Sequence, residues 1–243
     1  MEQLRSDAAN ADQVAYWNGS AGERWASHQT AQDTAFVPVT ELLVAHAAPQ
    51  PGERVIDVGC GCGDTSVAFA RRVGAAGHVL GVDISHQMLA RAREVAPRDL
   101  PVEFVLADAT AYSFPEGAAD LVVSRFGVMF FAEPARSFAN LRKALRRGGR
   151  LTFICWRGPR DNPWLMVPLQ GVYRHVPKLP PVGPEDPGPF AFAAPERVER
   201  ILTEAGFADI RVTPHDLALD VAAGGGLDAA VRSAVEIGPA HRA

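Results

Sequence analysis

The sequence predicts an α/β fold in which helices cover both faces of a doubly wound, mostly parallel sheet. Between residues 54 and 156, short apolar segments alternate with amphipathic helical segments. The apolar segments carry Val, Ile, Leu and Phe at both alternating positions, as parallel strands buried on both faces require. Right-handed crossovers between such strands produce a doubly wound sheet.

Hydrophobic periodicity and capping residues define the individual elements of this core. The predicted strands are 54–58, 78–84, 102–108, 120–126 and 150–156. The predicted helices between them are 64–73, 85–96 and 133–146. Ser85 is a good N-cap for the second helix, and Met88 and Leu89 lie on its apolar face. The third helix begins at Pro134 and is expected to stop at Gly148–Gly149.

Composition divides the chain into four segments. Residues 1–48 are predicted to form an N-terminal helical cap or lid, and residues 49–156 the sheet-containing core. Residues 157–194 hold nine of the 19 prolines, so they are expected to form an insertion with little regular structure. Residues 195–243 are predicted to complete the core with a helix and the strand "ADIRVTPHDLAL".

Length and charge restrict the class of protein. A chain of 243 residues can build one large domain. The net charge of −4 gives no reason to expect nucleic acid or an anionic membrane as a partner. The polar N-terminus is no signal peptide, and no apolar run is long enough to span a bilayer. Three cysteines give no disulfide framework, so a cytoplasmic location is expected. The oligomeric state stays open.

The stretch "VIDVGCGCGDTS" places three glycines at the first strand-to-helix turn, where open parallel sheets bind their ligands. Gly59, Gly61 and Gly63 have the spacing G-x-G-x-G, whereas a dinucleotide fingerprint requires G-x-G-x-x-G. A pyrophosphate would be repelled by the carboxylates of Asp57 and Asp64. A ligand with an ammonium and a sulfonium group, such as S-adenosylmethionine, would be attracted.

Polar residues also stand at the ends of the next three strands. Asp83 ends the second strand, where a carboxylate can accept hydrogen bonds from ribose hydroxyls. Asp108 and Ala109 end the third strand, where they can bind the edge of an adenine ring. Ser124 and Arg125 end the fourth, close to the expected position of a reactive methyl group. The four strand ends together favour a nucleoside with a cationic tail.

The chain resembles the class I S-adenosylmethionine-dependent methyltransferases. The matching motifs are "VIDVGCGCG", "GVDIS", "LADATAYSF", "DLVVSRFGVMFF" and "LRRGGRLTFICW". The stretches "AYWNGSAGERWASHQ" and "PFAFAAPERVERILTEAGFADIRV" resemble a bacterial subgroup that acts on small molecules and is distantly similar to ubiquinone and menaquinone C-methyltransferases. The resemblance implies a Rossmann-like methyltransferase fold. The final antiparallel strand of that fold is expected to be missing, because no apolar segment follows 210–219.

Residue chemistry and resemblance together predict a site for S-adenosylmethionine and a small-molecule methyl acceptor. The predicted cofactor-binding residues are Asp57, Gly59, Cys60, Gly61, Gly63, Asp83, Ile84, Met88, Asp108, Ala109, Ser124, Trp17 and Trp25. The candidates for binding the acceptor are Arg125, Phe126, Met129 and His28. No residue is assigned as a catalytic base. No metal site is predicted, because Cys60 and Cys62 lack the further ligands of a zinc site.

Two other functions are compatible with the same sheet. A non-catalytic S-adenosylmethionine-binding or regulatory domain would explain the short C-terminus. An NAD-dependent oxidoreductase would use a similar fold, although the glycine spacing argues against it. Structural roles also compete at single positions: Asp83 as an acid at a helix N-terminus, Arg125 in a surface ion pair, and Trp17 and Trp25 as core residues.

Overall fold

The computed structural model describes residue 4, residues 6–180, residues 183–236 and residue 240. Within them the strands are β1 (Arg54–Val58), β2 (His78–Asp83), β3 (Val102–Leu106), β4 (Ala119–Arg125) and β5 (Leu145–Ile154). The helices are α1 (Ala11–Trp17), α2 (Ser20–Ser27), α3 (Gln29–Ala47), α4 (Asp64–Val73), α5 (His86–Val95), α6 (Pro134–Ala144), α7 (Pro163–Val172), α8 (Pro195–Glu204) and α9 (Gly226–Glu236). Parts of the predicted N-terminal cap, proline-rich insertion and C-terminal segment lie outside the described residues.

The strands form one sheet in the order β3-β2-β1-β4-β5, and every neighbouring pair is parallel. The chain proceeds outward from β1 to β3 and then returns to the other side of β1 for β4 and β5. The strand order therefore reverses beside β1, which is where such sheets bind ligands beyond the carboxyl ends of their strands. The predicted α/β class and parallel sheet are confirmed.

Both faces of the sheet are buried, because successive residues of a strand point to opposite sides. Val55 belongs to a buried cluster with Leu43 of α3 and Phe69 of α4. Its neighbour Ile56 belongs to a second cluster with Phe138 and Leu141 of α6. β1 therefore carries apolar residues on both of its faces, because helices cover both sides of the sheet.

The helix boundaries follow the predicted capping in one case and depart from it in another. The Ser85 hydroxyl accepts the backbone N–H of Met88 at 3.4 Å, so α5 begins as predicted. The predicted end of α6 near Gly148–Gly149 is wrong, because α6 stops at Ala144 and Leu145 already pairs with Ala119 in the sheet. None of the helices in the described part of the chain is long and apolar enough to cross a membrane.

The proline-rich insertion contains one helix, α7, which the proline content did not predict. Pro163 occupies its first turn, where the missing N–H costs no hydrogen bond. A second proline, Pro168, lies inside the helix. From residue 173 to the start of α8, the described residues form turns and irregular segments, as expected.

The strand predicted within 210–219 is absent, because residues 207–220 make no ladder with β5. Phe207 and Ile210 pack against the core, but Val212 and Leu217 are exposed. An extended segment needs a partner strand to satisfy its backbone, and the described residues supply no antiparallel strand here. The sheet formed by the described residues thus consists of the five parallel strands alone and does not contain the strand predicted within 210–219.

Candidate active site

A large cavity of about 1130 Å³ opens at the carboxyl ends of the strands, beside the reversal of strand order. The glycine loop after β1 and the ends of β2, β3 and β4 line its floor. Helices α1, α2 and α3 close one side, and residues of α7 and the proline-rich insertion close another. The cavity therefore lies where the strand ends predicted a ligand.

The glycine loop approaches its neighbours too closely for side chains at two positions. Gly59 has φ +66°, and a Cβ there would lie 2.7 Å from the Cα of Gly127. Gly63 has φ +89° and would clash with the ring of Phe104 instead of facing the cavity. Gly59, Cys60 and Gly61 line the cavity, whereas Gly63 serves the turn into α4.

Asp83 lies on the floor of the cavity and organises the loop above it. Its Oδ2 accepts the backbone N–H of Gly61 at 2.8 Å, and its Oδ1 accepts the N–H of Ser85 at 2.8 Å. Burial raises the pKa of this carboxyl above its ordinary value, while the hydrogen bonds oppose the shift. The predicted neighbours Ile84 and Met88 also line the cavity.

Asp108 and Ala109 line the same floor one strand further out. The Oδ1 of Asp108 accepts the N–H of Thr110 at 2.9 Å, and its Oδ2 accepts the N–H of Asp7 at 2.9 Å. The backbone of Asp7 thus lies directly beside this carboxylate. Asn10, three residues further on, lines the cavity with an Oδ1 that has no hydrogen-bond partner.

Asp57, on which the charge argument rests, is completely buried and does not line the cavity. Its Oδ2 accepts the hydroxyl of Ser66 at 2.6 Å, and its Oδ1 has no partner. Burial raises the pKa of Asp57 to about 7, so the carboxyl is only partly ionised at neutral pH. The interpretation of Asp57 as a direct ligand contact is therefore wrong. Strand alternation explains the error, because Asp57 shares with Val55 the face that α4 covers.

Ser124 was predicted to contact the cofactor, but it is also a structural residue. Its side chain is fully buried, and its hydroxyl donates to the carbonyl of Val58 at 2.7 Å. The same oxygen accepts the N–H of Gly127 at 3.1 Å. Ser124 thus joins the ends of β4 and β1 beneath the cavity floor.

Aromatic side chains dominate the upper part of the cavity, and all four tryptophans of the chain line it. Trp17 and Trp25 meet edge to face with their ring centroids 6.0 Å apart. Both residues predicted for the lid therefore line the cavity. Trp156 and Trp164, which the sequence analysis did not single out, also line it, with ring centroids 5.5 Å apart.

Three of the four candidates for binding the acceptor, Arg125, Phe126 and Met129, line the cavity. Phe126 has φ +67°, a strained value for a bulky residue, and its ring stacks on Trp156 at 4.0 Å and 14°. The remaining candidate, His28, does not line the cavity; its Nδ1 contacts the carbonyl of Arg24 at 2.9 Å. His28 is thus assigned wrongly.

Arg125 is held by partners on two helices. Its Nη1 donates to Oδ2 of Asp64 and to the hydroxyl of Thr40, both at 2.6 Å. Its Nη2 lies 3.9 Å from Oδ1 of Asp33, beyond hydrogen-bond distance. Burial and the nearby Asp64 carboxylate raise the pKa of Asp33 to about 6.

One face of α3 contributes cavity residues that no sequence motif marked. They are Gln32, Asp33 and Phe36, which lie on one face with Gln29, the last residue of the quoted stretch "AYWNGSAGERWASHQ". Their spacing follows the helical repeat, so the only available sequence signal was polar residues on the face that also carries Phe36. Arg197 of α8 is a second missed residue; it lines the cavity and pairs with Glu185 at 2.7 Å.

The thiols of the glycine loop do not form a metal site. Burial raises the pKa of Cys62 to about 12 and raises the pKa of Cys60 well above its ordinary value. Neutral thiols are poor metal ligands and poor nucleophiles. Among the described residues no group of His, Cys, Asp and Glu side chains could hold a metal ion.

The strand order and the crevice at its reversal define a Rossmann-like α/β protein. The family described as "Methyltransferase domain" matches residues 55–149. Nocamycin O-methyltransferase from Saccharothrix syringae is 34% identical over 198 residues, which cover 76% of this chain and 69% of that protein. Demethylmenaquinone methyltransferase from Thermus thermophilus is 33% identical over 175 residues, which cover 68% of this chain and 78% of that protein. The chain therefore belongs to the S-adenosylmethionine-dependent methyltransferases.

Solved structures agree with this fold. A S-adenosylmethionine-dependent methyltransferase from Aquifex aeolicus matches with a TM-score of 0.52 and 18% identity, covering 83% of this chain and 89% of that one. Phosphoethanolamine N-methyltransferase 2 from Haemonchus contortus, solved with S-adenosylmethionine, matches with a TM-score of 0.57 and 19% identity, covering 84% of this chain and 45% of that one. These structures show the fold, whereas the matching family and the two relatives confirm the predicted enzyme class and the cofactor S-adenosylmethionine and argue against the NAD-dependent alternative.

Proposed function

We propose that the protein transfers the methyl group of S-adenosylmethionine to a planar, largely apolar acceptor of the quinone or aromatic polyketide class. The observation that carries the cofactor half of this proposal is the order of the polar residues along the cavity floor. Asp108 and Ala109 end β3, Asp83 ends β2, and Gly59 and Gly61 follow β1. Adenine, ribose and methionine follow one another in the cofactor in the same order.

The residues on the floor fit this placement chemically. Each oxygen of Asp83 already accepts one backbone N–H, and a carboxylate oxygen can accept a second hydrogen bond from a ribose hydroxyl. The unpartnered Oδ1 of Asn10, buried beside the N-terminal segment, can accept a hydrogen bond from the amino group of adenine. A buried acceptor without a partner is costly to keep, so a ligand that supplies a donor is favoured.

The acceptor half of the proposal rests on the aromatic walls. Phe126 and Trp156 present a stacked pair, Phe36 lies 5.7 Å from Phe126, and Trp164 extends the wall. Flat rings gain most from such surfaces, because aromatic pairs prefer offset-stacked or edge-to-face contacts. The name of the T. thermophilus relative, demethylmenaquinone methyltransferase, gives a quinone as the acceptor of that protein.

The cofactor supplies a methyl group already activated on a sulfonium. The task of the chain is then to align the acceptor with that methyl group and to exclude water. Trp25, which lies next to Gly61, and Trp17, which meets Trp25 edge to face, can do both, and an aromatic face near a sulfonium adds cation–π attraction. Strained Phe126 keeps its ring fixed against Trp156, which restricts the poses open to a flat acceptor.

The test offers methyl-labelled S-adenosylmethionine together with hydroxylated naphthoquinones, anthraquinones and, as a non-planar comparison, aliphatic carboxylic acids. We expect label in the planar acceptors only, detected by mass spectrometry, with S-adenosylhomocysteine formed in equal amount. Omitting the acceptor is the control. Labelling of the aliphatic acids alone would contradict the proposed acceptor class, and no S-adenosylhomocysteine with any acceptor would contradict the activity.

A further inference from the structure

Two adjacent side chains of α3 face the part of the cavity that the proposed function assigns to methionine. Gln32 and Asp33 both line it, beside Cys62 of the glycine loop. Neither belongs to the strand ends that hold adenine and ribose in the proposed placement. The two side chains are therefore available to bind another part of the ligand.

Gln32 presents a buried acceptor without a partner. The residue is 4% exposed, and its Nε2 donates to the carbonyl of Trp25 at 3.2 Å. That contact fixes the amide so that Oε1 is left with no hydrogen-bond partner. A donor from a ligand would remove the cost of this unpaired oxygen.

Asp33 presents a second acceptor next to the first. Its Oδ2 is bound by the side-chain amide of Gln29, and its Oδ1 lies 3.9 Å from Nη2 of Arg125 without a hydrogen bond to it. The Asp64 carboxylate takes the Nη1 of the same guanidinium at 2.6 Å. Two carboxylates thus surround one guanidinium, and the other arginine near Asp33, Arg91, is paired with Glu94 at 2.8 Å, so Asp33 can take a positive charge from a ligand.

We propose that Gln32 and Asp33 form the subsite for the ammonium group of S-adenosylmethionine, so that the N-terminal helical cap itself recognises the amino-acid tail. This inference rests on the proposed placement of the cofactor. It assigns to α3 the charge recognition that the sequence analysis gave to Asp57. An ammonium has three donors, and Gln32 Oε1 and Asp33 Oδ1 would accept two of them.

Binding of an ammonium group beside Asp33 should also release protons in a pH-dependent way. The charged and titratable groups around Asp33 are Asp64 of α4, Arg125 of β4, Arg91 of α5 and Cys62 of the glycine loop. With a pKa of about 6 in the free protein, Asp33 is half protonated near pH 6. An ammonium favours the carboxylate, so binding should release up to about half a proton per site near pH 6 and none above about pH 8.

The test compares two nucleosides by calorimetry: S-adenosylhomocysteine, which carries the amino-acid tail, and 5′-methylthioadenosine, which lacks it. D33N is expected to weaken the binding of S-adenosylhomocysteine by about tenfold or more, which is the effect of one charge-assisted hydrogen bond. The affinity for methylthioadenosine should stay within about twofold of the wild-type value. The matched control is D186N, a carboxylate lining the same cavity within the proline-rich insertion. Thermal melts check that D33N folds.

A second measurement needs no variant. The wild-type protein is titrated with S-adenosylhomocysteine and with its deaminated analogue, in two buffers of different ionisation enthalpy at pH 6. Proton release with the amine and not with the deaminated analogue supports the subsite. Equal affinity of D33N and wild type for S-adenosylhomocysteine would overturn the subsite and leave the proposed function standing. Failure of wild type to bind either nucleoside would overturn the proposed function.

Discussion

At the scale of single residues, Asp83 connects the cofactor site to the fold. Its two oxygens hold the N–H groups of Gly61 and Ser85, so the same carboxylate shapes the loop and faces the ribose position. Asp83→Ala is expected to weaken the binding of S-adenosylhomocysteine by about tenfold or more, because charge-assisted hydrogen bonds are worth ~1.5–3 kcal/mol. Calorimetry measures the affinity, and exposed Asp99→Ala is the control. Unchanged affinity would remove the ribose assignment.

Asp57 carries a different prediction, which concerns stability. Its pKa is raised from 3.8 to about 7 in the folded protein, so the fold binds a proton that the unfolded chain has already lost. The stability of the wild type should therefore fall as pH rises from about 4 to about 7, and stay low above it. Asp57→Asn removes the ionisation. The free energy of unfolding of this variant, relative to that of wild type, should therefore increase between pH 5 and pH 8.

Urea unfolding at pH 5 and pH 8 measures this difference. Asp99→Asn, an exposed carboxylate, should show no comparable change between the two pH values. An Asp57→Asn effect of the same size at both pH values would contradict the burial argument.

Phe126 allows a test of backbone strain with two closely matched substitutions. Both Phe126→Ala and Phe126→Gly remove the stack on Trp156, but only glycine adopts φ +67° without cost. Phe126→Gly is therefore expected to be more stable than Phe126→Ala by about 1 kcal/mol, the reverse of their usual order. Denaturant unfolding measures the free energy of unfolding of the two variants. A more stable alanine variant would show that the backbone relaxes at this position and would contradict the prediction.

At the scale of elements, Asn18 fastens α1 and α2, the helices predicted to form a lid, to the start of α5. Its Nδ2 donates to the carbonyl of Ile84 at 2.8 Å, and its Oδ1 accepts the N–H of His86 at 3.0 Å. Asn18→Ala should loosen the lid, because each lost hydrogen bond is worth about 1 kcal/mol. Hydrogen exchange of residues 11–27 is expected to accelerate about fivefold or more.

The matched control is Ser20→Ala, because the Ser20 hydroxyl accepts a hydrogen bond from Arg24 of the same helix and not from α5. Its exchange rates should stay close to those of wild type. Equal acceleration in both variants, or in neither, would mean that Asn18 does not fasten the lid.

The sequence predicted best those elements that their own residues specify, either by a run of buried apolar side chains or by a capping residue. The apolar runs of β1 and β2 and the Ser85 cap of α5 fall into this group. The strand predicted within 210–219 was wrong because a strand also needs a partner, which the segment's own pattern does not reveal. The end of α6 was misplaced for a related reason, since pairing with β4 begins at Leu145.

At the scale of the whole molecule, strand order brings the predicted ends of β1, β2, β3 and β4 to one cavity. The sequence could predict that convergence, but not which side chains point into it. Asp57 and Ser124 point beneath the floor, whereas Asp83 and Asp108 line it. Gln32 and Asp33 could not be found by motif, because their place depends on how the N-terminal helices pack over the sheet.

A crystal structure with S-adenosylhomocysteine tests this arrangement most directly. The account predicts adenine beside Asp108 and Asn10, the ribose hydroxyls on Asp83, and the ammonium group against Gln32 and Asp33. A nucleoside lying in the opposite direction, or an amino-acid tail directed away from α3, would contradict it.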